Sequence, residues 1–555
     1  MSAALVAVLC CTILALGYRF YGDHIAYNVT HLDASRPTPA HTMEDGVDYV
    51  PSNKWVLFGH HFASISGLGP ILGPAIAVIW GWLPAVLWVV FGTLLVGAVH
   101  DYTTMYVSVR NDARSIGDVT KSIINQRSRI LFLILIFFLI SLAMGVFAYV
   151  IGVLFAKLYP ESVIPVFALM VIAMGMGVAT YKGNQDLQVV TVIGLILLAF
   201  SMWGGLKLPN VEFGVNTWTY ILMAYAFVAS VLPVWFLLQP RDYLNSFLLY
   251  AGLILLYGGL FWMNPTISAP AVTSSTVVTD LPPLLPVLFI TIACGAVSGF
   301  HSLVSSGTTA KQLDSENDGK MVGFGGMVAE GVLALIVVLA CVAGLGSFDG
   351  WLEHYSSWAA ASDGLKPKLD AFITGGGHFI HSFGQYLGLS ARAGKVFISL
   401  VVVSFAMTTL DSGTRLLRYN IEEIADSLTE GEQQSPPIVN RWTSSFLAVV
   451  AIGFFALLEV NGQPAGLFLW VLFGASNQLL ASLGLLTVTV YLYKRNRPII
   501  YTIVPMLFMV VITTLALLGQ FFKQMPKSLR YPLADLLGVN PRPEQPGSWV
   551  IFGMV

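Results

Sequence analysis

The protein has 555 residues, of which 56% are hydrophobic and only 10% are charged, whereas a typical soluble domain carries about 25% charged residues. A soluble fold of this length could not remain dispersed with so little surface charge, so the composition excludes it and indicates a membrane protein. The formal net charge of −2 also gives no electrostatic support for nucleic-acid binding.

Apolar runs long enough to cross a bilayer, about 20 residues each, recur along the whole chain. The first run lacks the basic segment of a secretion signal, so we interpret it as a spanning helix. Basic residues crowd the loop 109–130 and the short loop at 494–497, and such clusters favour the cytoplasmic side. With fourteen spans, both loops lie on that side and both termini lie outside the cytoplasm. The predicted spans are 1–20, 61–80, 83–108, 130–157, 162–180, 187–206, 218–238, 244–263, 286–305, 323–345, 395–416, 441–459, 467–492 and 499–521.

The predicted fold class is therefore an all-α polytopic membrane protein. The second to sixth spans form a group of five that starts from inside, and the seventh to eleventh form a second group that starts from outside. The predicted organisation is an extra N-terminal helix at 1–22, a polar connector at 23–56, five-helix repeats at 57–207 and 217–417 with an extracytoplasmic loop at 346–394, a cytoplasmic loop at 418–440, three accessory helices at 441–521 and an extracytoplasmic tail at 522–555.

The first helix of each group of five is interrupted by residues that break helices. The segment "GHHFASISGLGPILGP", which begins at Gly59, combines serines, glycines and prolines, and "VASVLPVWFLLQP" has Pro233 in its middle and Pro240 at its end. Interrupted helices at corresponding positions of inverted halves predict the binding site of a transporter. Freed backbone carbonyls can coordinate a cation there, and the N-terminus of a half-helix attracts an anionic group. The alternative is a kinked helix without a functional role.

Polar residues around these interruptions are the candidate site. The residues predicted to bind substrate are His61, Ser64, Ser66, Gly67, Gly69, Pro233, Gln239, Ser298, His301, Thr408 and Asp411. Arg241, Asp242 and Arg415 are predicted to form a gate on the cytoplasmic side. Asp411 and Arg415 stand four residues apart, so they can pair on one helix face. A helix clamp and a plain basic anchor at the membrane surface are the alternatives.

A second group of residues is predicted to bind a coupling ion. Ser298, His301, Ser302 and Ser305 follow the spacing i, i+3, i+4 and i+7, which places them on one helix face. Serine hydroxyls on this face, with carbonyls near residues 64–67, suit sodium, but serines also hydrogen-bond to their own helix. A histidine titrates near neutral pH, and an isolated carboxylate within a span marks a candidate functional residue. The predicted ion-coupling residues are Ser302, Ser305, Ser306, His301 and Glu330.

A metal site and a helix-joining pair are further interpretations of polar residues in the spans. Two imidazoles and a carboxylate suit zinc. The alternative metal ligands are therefore His60, His61, His100 and Asp101. The sequence has no HExxH motif, however, and we expect neither a metal nor another cofactor. Asn477 and Gln478 lie outside both predicted repeats, and we interpret them as residues that join helices by hydrogen bonds.

Five long stretches carry a resemblance to a known family. They are "GHHFASISGLGPILGPAIAVIWGWLPAVLWVVFGTLLVGAVHDYTTMYVSVRNDARSIGDV", "LQPRDYLNSF", "ITIACGAVSGFHSLVSSGTTAKQL", "SFAMTTLDSGTRLLRYNIEE" and "LFGASNQLLASL". They resemble the carbon starvation protein A family of bacterial inner-membrane transporters. The resemblance implies a relative of the amino acid–polyamine–organocation superfamily with a LeuT-like 5+5 inverted repeat. It also implies symport of small peptides or pyruvate, and it favours the proton over sodium as coupling ion.

The sequence as a whole predicts an ion-coupled secondary active transporter in the bacterial cytoplasmic membrane, and not an enzyme. No Walker A motif is present, so ATP-driven transport has no support. The alternatives are a nutrient sensor and an intramembrane metal-dependent enzyme that uses the histidine cluster. The predicted partners are small peptides or pyruvate and the lipid bilayer, without nucleic acid, and the sequence is compatible with a monomer or a homo-oligomer.

Overall fold

A computed structural model describes residues 1–362, 365–388, 390–428, 440–460 and 463–524. The regular secondary structure of the described residues is helical apart from a two-stranded hairpin, Glu459–Val460 with Gln463–Pro464. The principal helices are α1 (Ala3–Val29), α2 (Lys54–Ile65), α3 (Gly69–Trp80), α4 (Trp82–Val109), α5 (Ile116–Ile123), α6 (Gln126–Leu158), α7 (Pro160–Tyr181), α8 (Leu187–Lys207), α9 (Val215–Val231), α10 (Leu238–Met263), α11 (Leu284–Thr291), α12 (Gly299–Val304, continued by the π-helical turn Ser305–Thr309), α13 (Lys320–Ala343), α14 (Leu365–Gly384), α15 (Ala391–Leu428), α16 (Arg441–Leu457), α17 (Ala465–Lys494) and α18 (Ile500–Gln524).

The helices confirm a multi-pass membrane protein. Within the described residues, 10 helices are long and apolar enough to cross a membrane, and the bent pair α2–α3 raises the number to 11. Two further predicted spans correspond to the shorter apolar helices α9 and α16, and the predicted span 286–305 is divided into α11 and α12. The number of fourteen spans and the inverted repeat stay predictions.

The predicted first interruption is present between α2 and α3. The two half-helices are bent by 48° around residues 66–68. Pro70 lies in the first turn of α3, where its missing N–H removes no helical hydrogen bond. A Cβ atom at Gly67 would lie only 2.6 Å from Oγ1 of Thr409, so a larger residue does not fit this gap. We call residues 66–68 the first break.

The chain leaves the helical conformation at Pro233 as predicted, but this interruption does not divide a single span. Helix α9 ends at Val231 and α10 begins at Leu238, so Pro233 lies in a linker between two helices instead of inside one span. Proline disfavours a helical conformation in the residue before it, and Leu232 is accordingly extended, with φ −71° and ψ 149°. Pro240 occupies the first turn of α10, where helical N–H groups have no partner in any case.

The helix that is interrupted instead is the one predicted at 286–305. Residues 292–298, the second break, separate α11 from α12 and contain glycine and alanine but no proline. The second break lies directly against the first residue of α3, because a Cβ atom at Gly69 would lie 2.3 Å from Sγ of Cys294. On the other side, a Cβ atom at Gly97 of α4 would lie 2.2 Å from the carbonyl oxygen of Ala296. Backbone therefore packs against backbone around the second break.

Other predicted boundaries also move. The predicted loop 346–394 is largely helical, and α14 packs against α10, α13 and α15. Its three glycines at 375–377 argue against a helix by propensity, but a Cβ atom at Gly375 would lie 2.1 Å from the carbonyl oxygen of Ala340, so close packing requires them. Helix α1 extends to Val29, which leaves residues 30–53 as the connector. Helix α15 extends to Leu428 into the predicted cytoplasmic loop, and residues 429–439 of that loop and 525–555 of the predicted tail lie outside the described residues.

Candidate functional site

Charged side chains from three helices meet in the protein interior beside the first break. Nδ1 of His60 on α2 lies 2.6 Å from Oδ2 of Asp242 on α10, and Nη2 of Arg241 lies 2.6 Å from Oδ1 of the same carboxylate. Arg241 also forms an ion pair with Asp411 on α15. All four side chains are at most 1% exposed. The predicted pair Arg241–Asp242 is thus present and belongs to a buried network, and its role as a gate stays a prediction.

Hydroxyl groups complete this network. Tyr225 on α9 donates a hydrogen bond to Asp411 and accepts one from Nη1 of Arg241 at 3.0 Å. Oγ of Ser64 lies 2.9 Å from Oγ of Ser412 and 3.3 Å from Oδ2 of Asp242. We call His60, Ser64, Tyr225, Arg241, Asp242, Asp411 and Ser412 the His60 network.

The His60 network has more carboxylates than permanent cations. Asp242 and Asp411 share one guanidinium, that of Arg241, so the network is neutral only when His60 or a carboxylate carries an additional proton. Burying an unbalanced charge costs several kcal/mol (roughly 3–5 when one partner of a buried pair is removed). The excess negative charge therefore favours the binding of one further proton or of a cationic group.

Helix α15 also contacts the backbone that the first break releases. Oγ1 of Thr408 donates to the carbonyl of Ala63 at 3.1 Å, and Oγ1 of Thr409 donates to that of Ser64 at 3.3 Å. In contrast, the buried Oγ of Ser66 has no hydrogen-bond partner among the described residues, and no side chain described here caps the N-terminus of α3. The first break thus presents a free hydroxyl and an uncapped helix end.

A second buried cluster lies on α4, α12 and α13. Asp101 accepts contacts from two imidazoles, Nδ1 of His100 at 2.8 Å and Nδ1 of His301 at 2.9 Å. Nε2 of His301 lies 3.3 Å from Oε2 of Glu330, close enough for an ion pair although the alignment does not make a hydrogen bond. Glu330 is therefore not isolated. We call His100, Asp101, His301 and Glu330 the His301 cluster.

The predicted serine face mostly satisfies its own helix. Oγ of Ser302 donates to the carbonyl of Gly299 at 2.7 Å, and Oγ of Ser306 donates to that of Ser302 at 2.6 Å. Oγ of Ser305 is buried with no hydrogen-bond partner in the part of the chain described. The alternative interpretation, bonding within the helix, thus applies to two of these serines.

Asn477 and Gln478 join helices by hydrogen bonds, as interpreted from the sequence, and they do so on both sides of the second break. Oδ1 of Asn477 accepts from the backbone N–H of Phe300 at 2.8 Å, and its Nδ2 donates to Oγ of Ser298 at 2.9 Å. Gln478 donates to the carbonyl of Phe289 on α11. Helix α17 therefore caps the two half-helices at once, and the N-terminus of α12 is occupied by the protein's own side chain.

The alternative metal ligands do not assemble. His60 contacts Asp242, whereas His100 and Asp101 belong to the His301 cluster, and no group of three histidine, cysteine or carboxylate side chains among the described residues is arranged so that it could hold a metal ion. His61 points away from His60, with Nδ1 2.9 Å from Oγ1 of Thr309 at the end of α12. A Cβ atom at Gly326 of α13 would lie 2.7 Å from the His61 ring, so His61 faces α12 and α13.

The predicted gate residue Arg415 has a different partner from the one expected. It pairs at 2.7 Å with Asp48 of the connector, and Arg418 pairs with the same carboxylate at 2.8 Å. Burial alone would raise the pKa of Asp48, but the charges of Arg418, Arg415 and Lys311 hold it well below its usual range. Val234 N–H donates to the carbonyl of Val47, so the linker containing Pro233 also contacts the connector.

Asp48, Tyr225 and Gln312 contact the candidate site although no sequence pattern indicates them. Gln312 follows α12, and its side chain joins Gln239, which has hydrogen bonds to Ser52 and Tyr181. An Asp in a polar connector and a Tyr in an apolar helix carry no distinctive pattern. The only available signal for Gln312 was its place in the conspicuous stretch "SSGTTAKQL".

Fold and site together define a multi-pass helical membrane protein with ion pairs buried between interrupted helices, as in membrane transporters. The family model described as carbon starvation protein CstA matches residues 2–348 and 357–516. The chain belongs to this family, and its named relatives are transporters.

Three relatives illustrate the family. The peptide transporter CstA of Campylobacter jejuni is 33% identical, covering 95% of this chain and 81% of the relative. The peptide transporter CstA of Bacillus subtilis is 33% identical, covering 92% and 89%. The pyruvate/proton symporter BtsT of Escherichia coli is 32% identical, covering 95% and 83%. A solved manganese transporter from Eremococcus coleocola aligns with a TM-score of 0.36 and 12% identity over 92% of this chain and 96% of that chain, a similarity too low to inform the fold.

Proposed function

We propose that this protein is a proton-coupled secondary active transporter that imports a small carboxylate, pyruvate or a short peptide, across the bacterial cytoplasmic membrane. The observation that carries the proposal is the His60 network, in which a buried arginine and two carboxylates adjoin an interrupted helix. Both candidate substrates share a carboxylate group, and their proposed site is the first break. The names of the peptide and pyruvate transporters among the relatives support this choice of substrates.

The proposed carboxylate site combines three features of the first break. The free hydroxyl of Ser66 and the uncapped N-terminus of α3 both suit an anion. Arg241 lies in the adjacent network and supplies a guanidinium, the side chain best suited to a carboxylate. Neutralisation of the incoming charge requires a cation, because the network already contains an excess carboxylate.

The proposed coupling ion is a proton held in the His301 cluster. Two carboxylates and two imidazoles adjoin there without a permanent cation, so each proton that the cluster binds offsets one of its two negative charges. Sodium has one specific observation in its favour, since Thr408 and Thr409 bring two hydroxyl oxygens to two freed carbonyls beside the first break. Oxygen atoms are the ligands that hard cations prefer.

Uptake into proteoliposomes tests the proposal. Purified protein is reconstituted, and initial uptake of labelled pyruvate and of a labelled dipeptide is measured under an imposed inward proton gradient without sodium, and then under an inward sodium gradient at equal pH. The proposal expects uptake with the proton gradient alone, loss of coupling in His301→Gln, and normal uptake in the exposed control His41→Gln. Uptake that requires sodium and fails in Thr408→Val supports the sodium alternative, and no uptake with either gradient contradicts ion-coupled transport of these substrates.

A further inference from the structure

A directional chain of hydrogen bonds ends at His60. Nε2 of Gln312 donates to the backbone carbonyl of Thr308 at 3.1 Å, Oε1 of Gln312 accepts from Nε2 of Gln239 at 2.7 Å, and Oε1 of Gln239 accepts from Oη of Tyr181 at 2.6 Å. A backbone carbonyl can only accept a hydrogen bond. The Gln312 amide nitrogen must therefore face Thr308, and this fixes the orientation of every other amide in the chain.

The orientation of Gln312 determines which nitrogen of His60 carries a proton. Nε2 of Gln312 also lies 3.5 Å from Nε2 of His60. An amide nitrogen only donates, so Nε2 of His60 is the acceptor and carries no proton. The His60 proton is on Nδ1, which donates to Asp242. Gln312 thus selects the neutral form of His60 with this tautomer.

The same glutamine holds the connector. The backbone N–H of Ser52 donates to the carbonyl of Gln312 at 3.1 Å, and Oγ of Ser52 accepts from Nε2 of Gln239 at 2.6 Å. The side chains of Ser52, Gln239 and Gln312 are at most 3% exposed. The side-chain amide of Gln239 and the main-chain carbonyl of Gln312 therefore join the end of the connector, the start of α10 and the segment after α12.

We propose that Gln312 is a positioning residue of the transport cycle, which keeps His60 neutral in this state and releases the connector at Ser52 when His60 becomes protonated. A proton from water binds the lone pair of Nε2, and the imidazolium N–H then opposes the amide N–H of Gln312. The Gln312 side chain must move away, which breaks its hydrogen bond to Gln239, and Gln239 in turn is the side chain that bonds Oγ of Ser52. The inference rests on the proposed proton coupling and adds a second titrating group to it.

The charges around His60 define how its protonation is balanced. Asp242 favours the imidazolium, whereas Arg241 and the Gln312 amide oppose it, and Asp411 offsets Arg241. On the other elements packed against α2, Lys320 pairs with Asp23, Glu330 faces His301, and Arg415 pairs with Asp48. The Gln312 side chain is neutral. Its substitution therefore changes proton binding at His60 without removing a charge from any of these ion pairs.

Two variants test the inference through the pH at which uptake is half-maximal. Gln312→Glu replaces the donor with acceptors, so we expect the midpoint to rise by about one pH unit, a tenfold gain in proton affinity. Gln312→Met removes the donor without adding an acceptor and should raise the midpoint by less. The matched control is Gln385→Glu, at an exposed glutamine that bonds only to its own helix, and it should leave the midpoint unchanged.

A second measurement reports on the connector without using transport. Val50→Cys, at a buried connector position, and Glu44→Cys, at an exposed one, are labelled separately with a methanethiosulfonate reagent in a cysteine-free background. The ratio of the two labelling rates should rise as the pH falls, and Gln312→Glu should raise it already at neutral pH. Unchanged midpoints together with an unchanged ratio in the Gln312 variants overturn the inference, and so does a uniform loss of rate without a midpoint shift. If uptake by the wild-type protein does not depend on the proton gradient, the proposed function is contradicted instead. The inference about Gln312 is then tested by the labelling ratio alone.

Discussion

Asp411 pairs with Arg241, which precedes it by 170 residues, and not with Arg415, which follows it by four residues on the same helix. The local spacing allows an i, i+4 pair, but Arg415 is drawn to Asp48 of the connector. Each arginine therefore ties α15 to a different part of the chain: Arg241 to the buried network, and Arg415 to the connector.

Removing the guanidinium of Arg241 should destabilise the protein more than removing a charge at its surface. Arg241→Gln leaves Asp242 and Asp411 buried without their cation, at a cost of about 3–5 kcal/mol. We expect a strong fall in Tm, measured by size-exclusion chromatography after heating. The double variant Arg241→Gln/Asp411→Asn should recover much of the loss. Arg392→Gln breaks an exposed pair with Glu161 and should change Tm little. Equal effects of the two single variants would argue against the network as described.

The contact between Gly69 and Cys294 should limit side-chain size where the start of α3 packs against the second break. Gly69→Ala places a methyl group 2.3 Å from Sγ of Cys294, and such overpacking costs about 1–3 kcal/mol. We expect lower Tm and reduced uptake. Gly69→Ala/Cys294→Gly removes the obstacle and should restore both. Gly175→Ala, where nothing lies within 4 Å, is the control. If Cys294→Gly did not restore uptake in the Gly69→Ala protein, the contact between Gly69 and Cys294 would not be the cause of the loss.

Asp48 should hold the predicted cytoplasmic side closed over the whole physiological pH range. Its pKa is lower in the folded protein than in the unfolded chain, so its stabilisation is present above the unfolded value of about 3.9 and is lost only as the pH falls through the folded value. Asp48→Asn should cost about 3 kcal/mol by leaving two arginines unpaired and should speed cysteine labelling at position 50. Between pH 5 and 8, Asp48→Asn should not change the shape of the pH profile of uptake. A changed profile would identify Asp48 as a titrating group.

Asn477 should stabilise the second break by capping it. Asn477→Ala leaves the buried N–H of Phe300 without a partner, which costs about 1–3 kcal/mol. Asn477→Asp keeps the acceptor oxygen and should preserve more stability. The comparison is with Asn28→Ala, which removes an exposed hydrogen bond. Thermal unfolding in detergent measures the difference, and an Asn477→Ala protein as stable as wild type would refute the capping role.

The sequence was sufficient for the features that depend on local composition. Apolar runs gave the helices, and the glycines and Pro70 around the first break gave its position. Pro233 was interpreted as a kink within a span, but proline is also common in linkers between helices, and Pro233 lies in such a linker. The second break contains no proline, and its distortion arises from packing against Gly97 of α4 and from hydrogen bonds to α17.

Long-range pairs could not be inferred from the pattern of the chain. Asp48 and Arg415 are separated by 367 residues, and Asp242 and His60 by 182. A charged residue in a span predicts that some partner exists, but only tertiary structure selects it. The sequence therefore predicted which residues belong to the candidate site but not which of them are partners. Only the fold shows that they form two separate clusters.

His60 and His61 are consecutive residues of α2, yet one contacts the His60 network and the other faces α12 and α13, which carry His301 and Glu330. Successive side chains on an α-helix are about 100° apart around its axis. A rigid rotation of α2 therefore alters both contacts at the same moment, and neither can change alone without bending the helix. The His60 network and the neighbourhood of the His301 cluster are thus mechanically linked through α2, and we expect binding at either of these proposed proton sites to alter binding at the other.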